Sequence, residues 1–113
     1  MKGKLFCEHG TIDNVDQNLI MATKGIENEL GYELEVTSGY RCPDCNKADG
    51  GVPDSAHVKG KAFDVSISDS VQRFNIIRKL ILRGIVRFGI GKNFIHFDID
   101  KENPQNVVWH YYG

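Results

Sequence analysis

The chain has 113 residues, 41% hydrophobic and 26% charged, with a formal net charge of −1. This length and composition fit one soluble globular domain, so a single domain over residues 1–113 is expected. The balance gives no footing for nucleic-acid binding, and no apolar run approaches the roughly 20 residues that cross a bilayer.

In chain order, residues 1–12 read as an extended segment without the apolar stretch of a secretory leader, so the chain is expected to be cytoplasmic as synthesised. Asp13 or Asn14 is placed to cap a helix whose apolar stripe is Val15, Leu19, Ala22, Ile26 and Leu30. Gly31 is its stop. Gly25 inside the helix costs about 1 kcal/mol relative to alanine, and close packing on a sheet is one reason to keep it. A short strand follows over Leu34 to Thr37. From Ser38 to Ala56 the chain is rich in Gly, Pro, Asn and Asp and reads as a long irregular loop.

After Gly60 the residues alternate, with Ala62, Asp64 and Ser66 against Phe63, Val65 and Ile67, which predicts a strand with one apolar face. Ser68 or Asp69 caps a second helix with Val71, Phe74, Ile77 and Leu80 or Ile81 as its stripe, ending at Gly84. Residues 85–90 and 94–99 read as a hairpin through Gly91, Lys92 and Asn93. Val107 to Tyr112 closes the chain as a strand, with Trp109 and Tyr111 on one face and His110 on the other. The expected fold is α+β, an antiparallel sheet with two helices on its apolar face.

Three features carry chemistry. His57 stands seven residues before Asp64, on a loop that leads into the polar face of that strand, and His96 and Asp98 share the polar face of another. If the strands share a sheet, His57, Asp64 and His96 present two imidazoles and a carboxylate, the donor set of an open zinc site; residues of a solvated sheet face are the other reading. Arg41, at a strand end, is placed to hold a carboxylate or carbonyl, or to sit in a surface ion pair. His110 has two readings, a substrate-side group or a surface histidine. Cys42 and Cys45 form a C-x-x-C pair, and Cys7 with His9 a C-x-H pair upstream. Together they allow a second, structural zinc; a disulfide from Cys7 to Cys42 or Cys45, or three free thiols, are the alternatives.

From about Thr37 onward these residues resemble the zinc D-Ala-D-Ala carboxypeptidase family, which shares its fold with the hedgehog signalling domain. The resemblance runs through Ser38-Gly39-Tyr40-Arg41-Cys42-Pro43, Asn46, Gly50-Gly51, Ser55, His57, Gly60, Ala62, Asp64, Gly89-Ile90-Gly91 and Ile95-His96-x-Asp98. It implies a hedgehog/DD-peptidase-like fold with Zn2+ bound by His57, Asp64 and His96 on the sheet face away from the helices. It also implies that Arg41 binds or polarises substrate and that Ser55 supports the metal loop. The implied partner is a peptidoglycan stem peptide, cut by a compact phage- or prophage-type member that reaches the cell wall after release. A monomer is expected.

Many members of that family carry an acidic residue three positions before the last zinc histidine. Here that position is Asn93, which takes no proton at neutral pH. Asp98, two residues after His96, is expected to serve as the base, with a role fixing a zinc histidine as its alternative. The missing acid also sustains a reading of another class, a non-catalytic, zinc-stabilised binding module of hedgehog-like type.

Overall fold

The computed structural model describes residues 1–111, so Tyr112, expected in the last strand, lies outside the described residues. The first helix begins later than the sequence suggested. Thr11 caps a short 3-10 turn over Ile12–Asn14, and Asp16 caps α1, Gln17–Leu30, by accepting from the Asn18 amide at 2.7 Å. Asp13 and Asn14 are consumed by that turn, where the Asn14 side chain accepts from the Thr11 amide. Gly31 ends α1 in the left-handed conformation, as expected. Gly25 makes room for a side chain rather than for the sheet. A Cβ there would stand 2.4 Å from the Arg83 guanidinium carbon, and Arg83 pairs with Glu29 one turn further along α1 at 3.0 Å.

Six strands form one sheet among the described residues: β1 (Lys2–Gly3), β2 (Glu35–Ser38), β3 (Ala62–Ser66), β4 (Arg87–Ile90), β5 (Phe94–Asp98) and β6 (Val107–His110), in the order β1-β2-β3-β5-β4-β6. The four central strands are antiparallel, as predicted. The edge strands β1 and β6 join parallel to β2 and β4. The β3 and β5 alternation is obeyed, since Phe63, Val65, Ile95 and Phe97 are fully buried with Leu19 and Ile26 of α1. Each such side chain contributes roughly 1.5–3 kcal/mol relative to exposure.

Two further elements differ from the sequence reading. The segment after Arg41 is not wholly irregular, because Cys42 caps a short helix α2, Pro43–Ala48, with proline in its first turn, where the missing N–H costs nothing. The helix α3, Ser70–Leu82, is capped by Asp69 as expected but turns a different stripe inward. Ile76 and Leu80 are buried and Ile77 packs beside them, whereas Val71, Phe74 and Ile81 stay exposed. Arg73 explains the rotation, because its guanidinium reaches in to the carbonyls of Gly91 and Lys92, at 3.0 Å each, and holds that helix face toward the β4–β5 turn.

Gly60 is the tightest point of the loop that enters β3. Its φ is +70°, its carbonyl accepts from the Asp16 amide at 2.8 Å, and a Cβ would lie 1.9 Å from the Asn14 carbonyl oxygen. Gly60→Ala is therefore expected to cost at least the roughly 1–2 kcal/mol of left-handed backbone, with the clash in addition. A thermal melt showing an unchanged midpoint would refute this.

Candidate metal centre

The β3–β5 register builds the site. Asp64 sits directly opposite His96, and Ala62 opposite Asp98, on the sheet face away from α1 and α3. His57 arrives from the preceding loop, where the Ser55 hydroxyl accepts from its amide at 3.2 Å.

Hydrogen bonding fixes both imidazoles. His57 Nδ1 lies 2.8 Å from the Gly39 carbonyl oxygen, which can only accept, so Nδ1 carries the proton and Nε2 the lone pair of the neutral ring. His96 Nε2 lies 2.8 Å from Asp98 Oδ2, so the proton is there and the lone pair is on Nδ1. Both lone pairs converge on Asp64 Oδ1, at 3.3 Å from His57 Nε2 and 2.9 Å from His96 Nδ1. Neutral imidazoles thus bring three electron-pair donors together with no hydrogen between them, an arrangement that needs a proton or a cation. Tetrahedral zinc with bonds of about 2.0–2.1 Å holds its ligand atoms about 3.3 Å apart, so the donor set and its spacing fit zinc.

The electrostatics agree. Burial pushes the Asp64 carboxyl up, but the two imidazoles outweigh it and hold it far below the usual carboxylate range. Burial lowers His96, yet Asp64 and Asp98 outweigh it and raise it above its ordinary 6.5. In metal-free protein a raised histidine contributes stability below its unfolded pKa that is lost as pH rises through its folded pKa; Asp64 contributes stability above about pH 4. Metal-free protein is therefore expected to melt higher near pH 6 than near pH 9, with His96→Asn flattening that difference. Thermal melts after chelation test it; a higher midpoint at the alkaline end would contradict the assignment.

Asp98 is committed to other groups. It is 2% exposed, its Oδ1 accepts from Arg87 Nε at 2.6 Å and from the Asp100 amide at 3.1 Å, and its Oδ2 accepts from His96. Burial raises this carboxyl, but His96 and Arg87 more than offset it and the net shift is downward. This geometry matches the alternative role, orienting a ligand histidine, better than that of a proton acceptor. Asn93 is exposed in the β4–β5 turn, where its carbonyl accepts from Ile67, and it does not line the cleft.

The cleft over the cluster measures about 500 Å³, ordinary for a small-ligand site. One wall is Arg41 with residues 49–52 and 54–57, and the other is Phe94, Trp109 and Tyr111. Arg41 meets Asp49 at 3.5 Å, and its buried Nε has no hydrogen-bond partner among the described residues. His110 is not brought to the cleft, since it registers with Ile90 and is exposed, whereas Trp109 registers with Gly89 beside His96.

Sequence reasoning missed Arg87 and Trp109. The Arg87 guanidinium stacks 5.2 Å from the Trp109 ring, and that ring lies 5.3 Å from His96. The signal was Gly89, where a Cβ would stand 2.5 Å from Trp109 Nε1, so only glycine lets β6 lay its aromatic residues across β4.

A family model described as Peptidase M15 matches residues 3–98. The chain belongs to the zinc D-Ala-D-Ala carboxypeptidase family, peptidase M15. The M15 match runs from the last residue of β1 to the end of β5 and includes all three converging donors. Members of the family are zinc-dependent peptidases. No curated protein matches the sequence. Among the described residues no helix is long and apolar enough to cross a membrane.

Proposed function

We propose that this M15 domain is a zinc metallopeptidase that hydrolyses a peptide bond in peptidoglycan stem peptides. The observation that carries the proposal is the convergence of the His57, Asp64 and His96 lone pairs at the floor of a cleft that has a guanidinium in its wall. A zinc ion held there would supply an acidified water and a Lewis acid for the scissile carbonyl. The chain's own residues do the rest. Asp64 Oδ1 provides the negative charge that offsets a dication, and Gly39 and Asp98 Oδ2 keep the imidazole protons on the far sides of the rings. Arg41, which lines the cleft and whose guanidinium meets Asp49 at 3.5 Å, would bind a substrate carboxylate or the carbonyl oxygen as charge develops on it. Trp109 and Tyr111 give the peptide an apolar wall.

Arg41→Ala is expected to lower kcat/KM by about 10²–10³-fold, the usual effect of losing one such donor, while zinc content is unchanged. A loss of less than about threefold would remove Arg41 from this role.

A second reading has specific support. With Asn93 at the usual acidic position and both Asp98 oxygens engaged, the domain lacks the ordinary base, as a zinc-stabilised binding module would. Digestion of purified peptidoglycan by zinc-loaded protein separates the two. Released fragments whose masses identify one cleaved bond support the peptidase. Intact peptidoglycan that retains the zinc-loaded protein supports the module.

A further inference from the structure

A second cluster stands outside the cleft. The isolated β-bridge between Phe6 and Tyr40 ties the N-terminal segment to the chain just before α2, with the Cys7 amide donating to the Tyr40 carbonyl at 2.9 Å. That pairing carries Cys7 and His9 over the first turn of α2, where Cys42 and Cys45 stand. One atom from each of the four lies within 4.8 Å of every other. His9 Nδ1 is 3.6 Å from Cys42 Sγ and 3.4 Å from Cys45 Sγ. With zinc–sulfur bonds of about 2.3 Å and a zinc–nitrogen bond of about 2.0 Å, a tetrahedral ion places such atoms about 3.6 Å apart.

We propose that Cys7, His9, Cys42 and Cys45 form a second metal site, a closed Cys3His zinc site that clamps the N-terminal segment to the cleft wall carrying Arg41.

Three observations support it beyond proximity. The donors come as a C-x-H turn and a C-x-x-C turn, the second of the spacing structural zinc uses. The Gly10 amide closes the first turn on the Cys7 carbonyl at 3.0 Å. Backbone N–H groups already aim at sulfur, Cys42 N to Cys7 Sγ and Cys45 N to Cys42 Sγ, both at 3.4 Å, the contacts that stabilise thiolates. A disulfide would use two of the three sulfurs and leave the third and His9 unexplained; one soft-ligand dication uses all four. Closed four-protein coordination leaves no place for a substrate, so the role is structural. It fixes Cys42, and with it the neighbouring Arg41, whose amide donates to the His57 carbonyl at 3.2 Å.

The test is metal counting, together with cobalt replacement, on the whole chain. Wild type is expected to hold about two zinc ions, and His57→Ala about one. After cobalt replacement, His57→Ala is expected to keep the near-ultraviolet thiolate-to-cobalt band, and Cys42→Ser/Cys45→Ser to lose that band while keeping one ion. Zinc is also expected to protect all three thiols of wild type from alkylation, a measurement that needs no variant to fold. Wild-type protein whose thiols alkylate equally fast with and without zinc would overturn the proposal, as would a single bound ion that gives no thiolate band.

Discussion

His57→Ala is expected to remove one metal ion and to reduce peptide hydrolysis by about 10³-fold or more. The size follows from what metal activation supplies, several kcal/mol of transition-state stabilisation at 1.36 kcal/mol per tenfold in rate. The loss should be specific to the cleft. His57 lies on the loop before β3, its ring proton is spent on the Gly39 carbonyl, and its free lone pair points at Asp64. The folded sheet does not depend on it, because the core of Phe63, Val65, Ile95 and Phe97 lies on the opposite face. Metal content by elemental analysis, measured beside the thermal midpoint, separates loss of the ion from loss of the fold. Full metal content in a well-folded His57→Ala protein would contradict the ligand assignment.

Asp98→Ala distinguishes two roles that the sequence left open. As a proton acceptor, Asp98 would be dispensable for the metal, and its removal would abolish hydrolysis at full zinc occupancy. As the group that holds His96, its removal weakens zinc binding by about 10–100-fold, and excess zinc restores much of the activity. The contacts favour the second outcome, because both oxygens are engaged and the carboxyl is held ionised beside Arg87. Alanine also leaves the Arg87 cation without its buried partner, a cost of roughly 3–5 kcal/mol in such pairs. Asp98→Asn, which keeps an acceptor for His96 Nε2, should retain more zinc and more stability than alanine. Undiminished zinc affinity in both variants, with activity lost beyond rescue, would return Asp98 to the role of base.

Much of this was readable in the chain. Period-two alternation through Asp64 and His96 placed both on polar strand faces, and the direct pairing of these two residues turns that pattern into a site. The C-x-H and C-x-x-C spacings named four residues that the fold does bring together. What escaped depended on neighbours far away in sequence. The inward face of α3 is chosen by Arg73 reaching the β4–β5 turn, not by the count of apolar residues, so Val71 and Phe74 were misassigned. The capping of α2 by a cysteine was hidden among turn-forming residues. The Asp98 pairing needed Arg87 from an adjacent strand, which no local pattern announces. His110 looked available because it alternates with two aromatics, but the aromatics took the cleft side.

Anomalous diffraction at the zinc edge, from crystals grown with zinc, shows whether the three lone pairs converge on one ion. A peak is expected within bonding distance of His57 Nε2, Asp64 Oδ1 and His96 Nδ1, with His96 Nε2 still directed at Asp98. A zinc-soaked crystal with no peak among these three residues, or with His96 turned to bind through Nε2, would contradict it.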